Sequence, residues 1–415
     1  MDLSEKCWKR LDTARRIEAG ELTVGEAAQV LGLSRRQTQR VRRRVKVAGK
    51  QGVVHGNRGR QSPERTARAT VRKVLAAARG KYRGFNDQHM TECLVEEDGL
   101  KLSRSTVRRL LRAGGIQAAR RRRAPKHRRR RDRKPQAGMM IVWDGSPHDW
   151  LEGRGPRLCL MGAVDDATSE VLPGAHFVEA ECSAGYLKVL HDIVAEKGIP
   201  LSAYGDQHSS LKRNDDHWTL EEELRGEQNP TQVGRALKTL EIERIDALSP
   251  QAKGRVERLW GTLQDRLVSE LRRVGARTCE EANAVLAGHI PKHNRRFAVP
   301  PQDSTPAWRR VRPGVDLGRI CAFRYEATVL NDNTVRIHGQ VIDIPPGPGG
   351  RGYAKKRVEV VQCLDGTWRV YWKDMVLTRA AATAVDELRA RRKHSHSAAT
   401  RAFGKAITRI AASLP

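Results

Sequence analysis

The spacing of apolar residues divides the chain into a helical N-terminal part, a central part of alternating strands and helices, and a β-rich C-terminal part. Near the N-terminus, apolar residues recur at helical spacing on both sides of Gly32: Ala27, Ala28, Leu31, Val41 and Val45. Ser34 followed by Gln37 fits a capping box at the start of the second stripe. The pattern predicts a helix-turn-helix domain within residues 1–55.

The second of these helices is strongly basic on its polar side. It directs outward a set of side chains that suit base edges and phosphates in a major groove: Arg35, Arg36, Gln39, Arg42 and Arg43. A basic, solvated helix in a small bundle has the same pattern, so both interpretations stay open.

Residues 62–118 repeat the helical pattern and predict a second helix-turn-helix-like domain. Ser103 can cap a helix that Gly114 and Gly115 end. The polar side of that helix carries a row of arginines: Arg104, Arg108, Arg109 and Arg112. Two such domains in tandem suit a long site on DNA.

Residues 119–137 form a basic linker, in which the stretch "RRRRAPKHRRRRDRKP" contains eleven Lys or Arg side chains. Such a run cannot form a packed core, and it becomes ordered along a phosphate backbone by releasing counterions. A solvated interdomain linker or a targeting signal would look the same.

Residues 138–300 combine hairpins with alternating helices and strands. "MMIVWD" and "RLCLMGAVDDATSEVLPGAHFVEA" predict three strands, with "DDATS" as the second turn. A helix around 186–195, the strand "LSAYGD", a helix around 232–240, the strand "IERIDA" and a helix from Ala252 follow. This order predicts a mixed sheet with helices on its faces.

Residues 318–380 predict a small β-barrel, because two strand-rich stretches contain turn signals at 331–333 and 365–366. The tail, residues 381–415, is basic and rich in small residues, and we expect most of it to be disordered. The chain as a whole is therefore predicted to be multidomain.

The net charge of +30 and the pI of about 10.5 indicate a polyanionic partner, and double-stranded DNA is the first choice. An anionic membrane is the rival, but no apolar stretch approaches the roughly 18 to 20 residues that span a bilayer. The N-terminus lacks the apolar segment of a signal peptide. We therefore expect a cytoplasmic, nucleoid-associated protein with no membrane partner.

The seven cysteines are scattered and contain no CxxC pair, so we expect unpaired thiols. A zinc site could be imagined from His289, His293 and Cys279, but no second cysteine pair completes tetrahedral spacing.

Three acidic residues of the central part stand where chemistry is expected. Asp144 follows the first strand, Asp206 follows the fourth, and Glu257 lies early in the following helix. Carboxylates that converge repel one another unless a cation intervenes, and Mg²⁺ prefers oxygen ligands. The basic residues around Glu257, namely Lys253, Arg255 and Arg258, would be available for a DNA strand.

The segments "WDGSPHDWLEGRGPRLCLMGAVDDATSEVL", "YGDQHS" and "SPQAKGRVERLWGTLQDRL" resemble, in this order, the DDE transposases of bacterial insertion sequences. The forms "DGSPHDW" and "YGDQHS" resemble the ISNCY group. The resemblance covers most of residues 20–375. It implies an RNase H-like core related to retroviral integrases, with two catalytic Mg²⁺ or Mn²⁺ ions at Asp144, Asp206 and Glu257.

The resemblance also implies an activity. The enzyme would bind terminal inverted repeats, cleave the element ends by hydrolysis, and join the freed 3′-hydroxyl to target DNA as a homo-multimer. Many integrase-like members place the last two acids closer together, and the extra length here is an acidic insertion at 211–233. A solvated lobe, a subunit contact and a gate are the alternatives for this insertion.

Two other functions fit parts of the pattern. A DNA-binding regulator would retain the core as an inactive scaffold, and an RNase H-like nuclease would use the same acids without tandem end-binding domains. Several residues are set aside as competitors: Asp165 and Asp166 suit a turn, Asp265 and Glu270 suit surface pairs, and Trp143 suits the core. His208 suits a buried position and the active site equally.

Overall fold

The computed structural model describes residues 3–55, 57, 65–118, 131–213, 218–247, 254–337, 339–385 and 387. The predictions for Lys253, for most of the basic linker and for nearly all of the tail fall outside these residues. The chain divides into two compact units, Met1–Lys73 and Val74–Pro415.

The first unit contains α1 (Glu5–Glu18), α2 (Val24–Leu31) and α3 (Arg35–Ala48), followed by a 3₁₀ turn at Gly49–Val53. Capping boxes start α2 and α3, since Thr23 and Ser34 each accept from the backbone three residues later. Gly32 ends α2 at φ 60°, a conformation that glycine adopts without strain. The two helices and the turn expected here are confirmed.

Helix α4 (Arg68–Arg79), α5 (Asp87–Glu96) and α6 (Arg104–Ala113) form the next helical region. Within the second unit, α5 and α6 enclose a small apolar core: Val74, Tyr82, Met90, Leu94, Val107 and Leu111. Ser103 caps α6 by accepting from the Thr106 N–H, and Gly114 is its C-cap, as the sequence predicted.

A five-stranded sheet organises the centre of the second unit. Its strands are β1 (Met140–His148), β2 (Leu158–Asp165), β3 (His176–Val178), β4 (Ser202–Gly205) and β5 (Glu243–Asp246). The strand order is β3-β2-β1-β4-β5. The pairs β3–β2 and β2–β1 are antiparallel, and the pairs β1–β4 and β4–β5 are parallel. The predicted mixed sheet is confirmed.

Five helices of the described residues accompany this sheet: α7 (Ser183–Glu196), α8 (Leu220–Arg225), α9 (Gln232–Thr239), α10 (Gly254–Val274) and α11 (Cys279–Phe297). Successive residues of β1 point to opposite faces. Ile141 and Trp143 join a core that includes Tyr186 of α7, while Val142 joins a core that includes Leu263 of α10. The sheet is therefore covered on both faces.

Strand β1 continues beyond the point where the sequence predicts its end. Its antiparallel pairing with β2 runs to His148↔Leu158, whereas its parallel pairing with β4 stops at Val142↔Tyr204. Asp144 consequently lies within β1, because the hairpin arm extends past the end of the parallel neighbour.

The C-terminal part contains α12 (Leu317–Ile320) and the strands β6 (Phe323–Thr328), β7 (Thr334–Ile337), β8 (Gln340–Asp343), β9 (Arg357–Gln362), β10 (Trp368–Trp372) and β11 (Met375–Ala380). Among the described residues these strands form an open sheet, β11-β10-β9-β6, and a separate hairpin of β7 and β8. The predicted closed barrel is not found, because the edge strands β6 and β11 do not pair. Trp368 and Tyr371 are buried, as expected of core aromatics.

Helix α5 is joined to the helices that cover the sheet by polar side chains. The contacts between α5 or its caps and α10 are Asn86–Asp265, His89–Glu270, Glu92–Arg266 and Glu97–Arg273, at 2.5 to 2.9 Å. The expectation that Asp265 and Glu270 form surface pairs is therefore wrong for Glu270, whose side chain is 12% exposed. Tertiary packing places it against a helix that is distant in sequence.

The seven cysteines are free thiols, which confirms the expectation from their spacing. Within the part of the chain that the structure describes, no helix combines the length and apolarity needed to cross a membrane.

Candidate active site

Asp144 and Asp206 occupy equivalent positions on adjacent parallel strands. β1 and β4 pair from Met140↔Ser202 to Val142↔Tyr204, and the aspartates stand two residues further along each chain. Adjacent strands lie about 4.8 Å apart, and residues at the same level point to the same face. Both aspartates are half-buried. This register sets the two residues side by side, while their role as metal ligands stays a prediction.

A glycine beside each aspartate admits a bulky neighbour. A Cβ atom on Gly145 would stand 2.5 Å from Oε2 of Glu181, and one on Gly205 would stand 2.6 Å from Nε1 of Trp143. Real Cβ atoms do not approach other atoms so closely, so the glycines of "WDG" and "YGD" make room for these side chains. Trp143 also packs edge to face on Tyr186, which confirms its place in the core.

Glu181 is an acidic residue of this site that the sequence reasoning missed. The Tyr186 hydroxyl donates to its Oε1 at 2.6 Å, and Nδ1 of His208 lies 3.5 Å from the same oxygen. Burial raises the pKa of the Glu181 carboxyl, and the charges of Asp206 and Asp144 raise it further. The hydrogen bond from Tyr186 and the charge of His208 lower the pKa, but they do not outweigh burial. The electrostatic coupling of Glu181 to both aspartates shows that the three carboxylates share one region.

His208 lies at this site, since its backbone N–H also donates to Oδ1 of Asp206 at 3.0 Å. Its ring is half-buried, which agrees with parts of both interpretations left open above. Glu181 could have been suspected only from its place just before a helix, near the Asp144 strand in the predicted sheet, and many acidic residues share such a place.

Glu257 is exposed on the first described turn of α10. One turn later, Trp260 donates its indole N–H to Oδ2 of Asp144 at 3.2 Å, and Gln264 donates to the Ser146 hydroxyl at 3.2 Å. Residues 257, 260 and 264 share one helix face, so this face of α10 follows β1 along its length. Glu257 is thereby held about one helical turn from the residue that contacts Asp144.

The three predicted acids are not gathered as tightly as a filled metal cage. Among the described residues, one set of three His, Cys, Asp or Glu side chains has donor atoms within 4.8 Å of one another, and it does not include Asp144, Asp206 or Glu257. The two aspartates meet on the sheet, while Glu257 stands on a neighbouring element.

Asp165 and Asp166 are structural, as their turn sequence predicted. Asp165 accepts from the Gly138 N–H at 2.8 Å and from Thr168, and Asp166 is buried beneath arginines. Arg131 contacts Oδ1 of Asp166 at 2.5 Å, and Arg133 donates to the Asp166 carbonyl oxygen at 3.2 Å. The described end of the basic linker is therefore fixed to this turn.

Arg255 also belongs to this structural cluster. Its guanidinium contacts Asp166 and donates to the Arg131 carbonyl oxygen at 2.8 Å, and its side chain is 12% exposed. The expectation that it is available for DNA is therefore wrong in this conformation, because a buried carboxylate needs its charge. Arg258, by contrast, is exposed.

The predicted DNA-binding residues of α3 and α6 are mostly exposed. This holds for Arg35, Arg36, Gln39, Arg43, Arg104, Arg108 and Arg109. Arg42 is half-buried, and its Nε lies 2.5 Å from Glu18 of α1. Arg42 therefore differs from the outward side chain that the sequence predicts, because α1 supplies an acidic partner.

The acidic insertion contains helix α8, which begins in a capping box between Thr219 and Glu222. Glu222 is fully buried and paired with Arg213 at 2.5 Å, while Leu220 and Leu224 are exposed. Residues 214–217, which include two of its acids, fall outside the described part. The alternatives for this insertion stay open.

The sheet order, the helices on both faces and the paired carboxylates on its central parallel strands fit an RNase H-like core.

Comparisons with known proteins assign the family. No family model matches the sequence. The transposase y4bF of Sinorhizobium fredii (strain NBRC 101917 / NGR234) is 33% identical over 372 residues, covering 89% of this chain and 80% of that protein. The transposase for insertion sequence IS1202 of Streptococcus pneumoniae is 33% identical over 333 residues, covering 70% and 68%. The chain belongs to the insertion-sequence transposases and is an enzyme of the polynucleotidyl transferase type.

Two solved structures are also similar. The HTLV-2 integrase catalytic core domain in complex with magnesium, in its dimeric form, is 16% identical, covering 36% of this chain and 85% of that chain, with a TM-score of 0.26. The simian T-cell lymphotropic virus intasome with PP2A regulatory subunit B56 gamma is 13% identical, covering 75% and 99%, with a TM-score of 0.31. At TM-scores below 0.5 these likenesses carry no argument about the fold.

Proposed function

We propose that this transposase binds the terminal inverted repeats of its element, cleaves the element ends, and joins the freed 3′-hydroxyl groups to target DNA. The observation that supports this most is the placement of Asp144 and Asp206 at one level of two parallel strands, with α10 fastened to Asp144 through Trp260. This arrangement brings the helix that carries Glu257 to the same edge of the sheet.

The donor set fits Mg²⁺ or Mn²⁺, which we propose as cofactors. Asp144 and Asp206 offer oxygen atoms only, and Mg²⁺ is commonly held by one or two carboxylates together with substrate phosphates. Glu257 would complete the site. With two such ions held by these residues, the site would have the Lewis-acid chemistry that activates the attacking oxygen and stabilises the leaving oxygen of a phosphodiester.

The protein side chains orient this site. The Trp260 indole fixes one oxygen of Asp144, and the His208 backbone N–H fixes one oxygen of Asp206. Glu181 adds a further carboxylate behind Asp144, held by the Tyr186 hydroxyl. Arg258 is exposed one residue after Glu257, where it can contact a phosphate of the strand being cut.

DNA binding is assigned to the arginine-rich faces of α3 and α6. α3 follows a short turn after α2, and α6 starts at the Ser103 cap, so each can present its first turns to a groove as in helix-turn-helix domains. We assign base contacts to Gln39 and its arginine neighbours, and phosphate contacts to the row on α6. Because two element ends must be brought together, we propose that the enzyme acts as a homo-multimer on cytoplasmic, nucleoid-associated DNA.

The test is strand cleavage and joining by carboxylate variants. Asp144→Asn, Asp206→Asn and Glu257→Gln should bind an element-end duplex normally but lose Mg²⁺-dependent nicking and joining by at least about 100-fold. Asp374→Asn is the matched control, since that side chain is 99% exposed and lies in the turn between β10 and β11. Retained joining in all three variants would refute the assignment.

The same experiment separates the alternatives. Binding of the element end by the wild-type protein without cleavage under Mn²⁺ would indicate a DNA-binding regulator. Nicking of the end without joining to a second duplex would indicate an RNase H-like nuclease. Joined product that depends on Asp144, Asp206 and Glu257 supports transposition.

A further inference from the structure

A second cluster of metal-ligating side chains lies away from the sheet edge. His89 and Cys93 stand one turn apart on α5, and Glu270 faces them from α10. One donor atom from each of the three lies within 4.8 Å of the others. His89 is 4% exposed and Cys93 is 5% exposed, so this is an interior site and not a solvated acidic patch.

The cluster borders a cavity of about 220 Å³ between α5, α10 and α11. α11 contributes two histidines one turn apart, His289 and His293, to the lining of this cavity. Two pairs spaced at i and i+4, one on α5 and one on α11, thus line the same cavity. Such spacing puts both members of a pair on one helix face, as a shared ion requires.

Three imidazole nitrogens in this region are buried and have no hydrogen-bond partner: Nδ1 of His89, Nε2 of His289 and Nδ1 of His293. A buried polar atom without a partner destabilises the fold, and native proteins contain few of them. Three in one cavity indicate that the region receives a ligand. His289 is also close enough to interact electrostatically with Glu270 and His89.

Glu270 already orients one of these rings. Its Oε1 lies 2.9 Å from Nε2 of His89, which leaves Nδ1 of the same ring without a partner. A carboxylate on one ring nitrogen with the other nitrogen directed at a cation is the usual support of a metal-binding histidine. The second oxygen of Glu270, Oε2, lies 2.5 Å from Nη2 of Arg273, so Glu270 is an ion-paired support of the His89 ring.

Donor chemistry identifies the cation. A cysteine sulfur and imidazole nitrogens favour zinc, whereas Mg²⁺ and Ca²⁺ are bound by oxygen. The neighbouring arginines do not oppose a cation with unpaired charge, because Arg266 is paired with Glu92, and Arg273 is paired with both Glu97 and Glu270.

We propose that His89, Cys93 and His289 bind one Zn²⁺ ion that fastens α5 to α11, while Glu270 of α10 orients the His89 ring. On binding, the Cys93 thiol gives its proton to solvent and its sulfur bonds to zinc. The ion is structural and distinct from the ions proposed at Asp144 and Asp206. Because Glu270 lies on α10, which also carries Glu257 and Trp260, the zinc site fixes the helical region 74–118 to the helix that supports the active site.

Zinc content of the full-length, untagged protein tests this directly. Metal analysis after dialysis should find about one zinc per chain in the wild type and less than about a tenth of that in Cys93→Ser and His289→Ala. Cys7→Ser, a cysteine of the first unit, is the matched control and should retain zinc. Circular dichroism establishes that each variant is folded.

A spectroscopic measurement keeps the proposal testable if the variants do not fold. Wild-type protein stripped with a chelator and supplied with Co²⁺ should show a thiolate-to-cobalt charge-transfer band and tetrahedral ligand-field bands. Amide exchange in α5 should be faster in the stripped protein and restored by Zn²⁺. A folded wild type without zinc and without the cobalt band would overturn the proposal, as would full zinc in both folded variants.

Discussion

The substitution Trp260→Phe tests how α10 is held against the sheet. It removes the indole N–H that donates to Oδ2 of Asp144 at 3.2 Å and keeps an aromatic ring in the space over Gly162. Gly162 pairs with Asp144 across β1 and β2, and a Cβ on it would meet the Trp260 ring at 3.4 Å. The change therefore releases one carboxylate oxygen and the helix that carries Glu257.

The size of the effect follows from this one bond. A hydrogen bond to a charged group contributes about 1.5 to 3 kcal/mol. If the bond orients Asp144 for reaction, its loss lowers the cleavage rate by about 10- to 150-fold, since about 1.4 kcal/mol is a factor of ten. Affinity for the element-end duplex should stay unchanged, because the DNA-binding faces of α3 and α6 are untouched.

Single-turnover nicking of a labelled end duplex with Mg²⁺ measures the rate, and fluorescence anisotropy measures binding. Trp368→Phe is the matched control: it removes a similar indole bond, to the Thr383 hydroxyl at 2.9 Å, in the C-terminal sheet. We expect normal nicking by this control. Wild-type nicking by folded Trp260→Phe would refute the view that α10 orients Asp144.

Three further predictions concern packing and charge. Gly145→Ala should displace Glu181, destabilise the fold by about 1 to 3 kcal/mol in urea titrations, and slow nicking. Gly261→Ala is the control: a Cβ atom there meets open space, so it should neither destabilise the fold nor slow nicking. Glu92→Ala should lower the free energy of unfolding by about 3 to 5 kcal/mol, because the Arg266 side chain, which is 8% exposed, loses its partner. An unchanged urea midpoint would contradict this prediction. Burial raises the pKa of the Glu359 carboxyl, but Arg319 and Arg324 outweigh burial and lower the pKa. The contribution of Glu359 to stability is therefore present at neutral pH, and it is lost as the pH falls through the ordinary pKa and then through the lower pKa of the folded state. The urea midpoint of Glu359→Gln should therefore change less than that of the wild type between about pH 7 and pH 3. An equal dependence of the midpoint on pH in the two proteins would show that the ion pairs are not responsible.

Two opposite faces of helix α10 contact two different elements, strand β1 and helix α5. Residues 257, 260 and 264 follow β1, whereas Arg266, Glu270 and Arg273 face α5. A displacement of one face moves the other, because an α-helix is stiff over its length. The proposed zinc site and the proposed active site are therefore coupled mechanically through a single element.

Much of the local structure could be predicted from the sequence because it depends on neighbours a few residues apart. The caps at Ser34 and Ser103 are satisfied by backbone N–H groups within the next turn. The unbroken apolar run from Met139 to Trp143 favours a strand that is buried on both faces. The prediction that Asp144 and Asp206 converge also followed from sheet topology, since both come just after the parallel pairing of β1 with β4.

Only the tertiary structure decided which distant side chains meet. Arg255 faces the buried Asp166 instead of solvent, and Glu181 packs against Gly145 beside Asp144. His289 lines the same cavity as Cys93, where the sequence had offered Cys279. Cys279 in fact donates to the Phe177 carbonyl oxygen at 3.2 Å. Such pairings depend on where helices cross, and the crossing is set by the packing of whole faces, which no short stretch of sequence encodes.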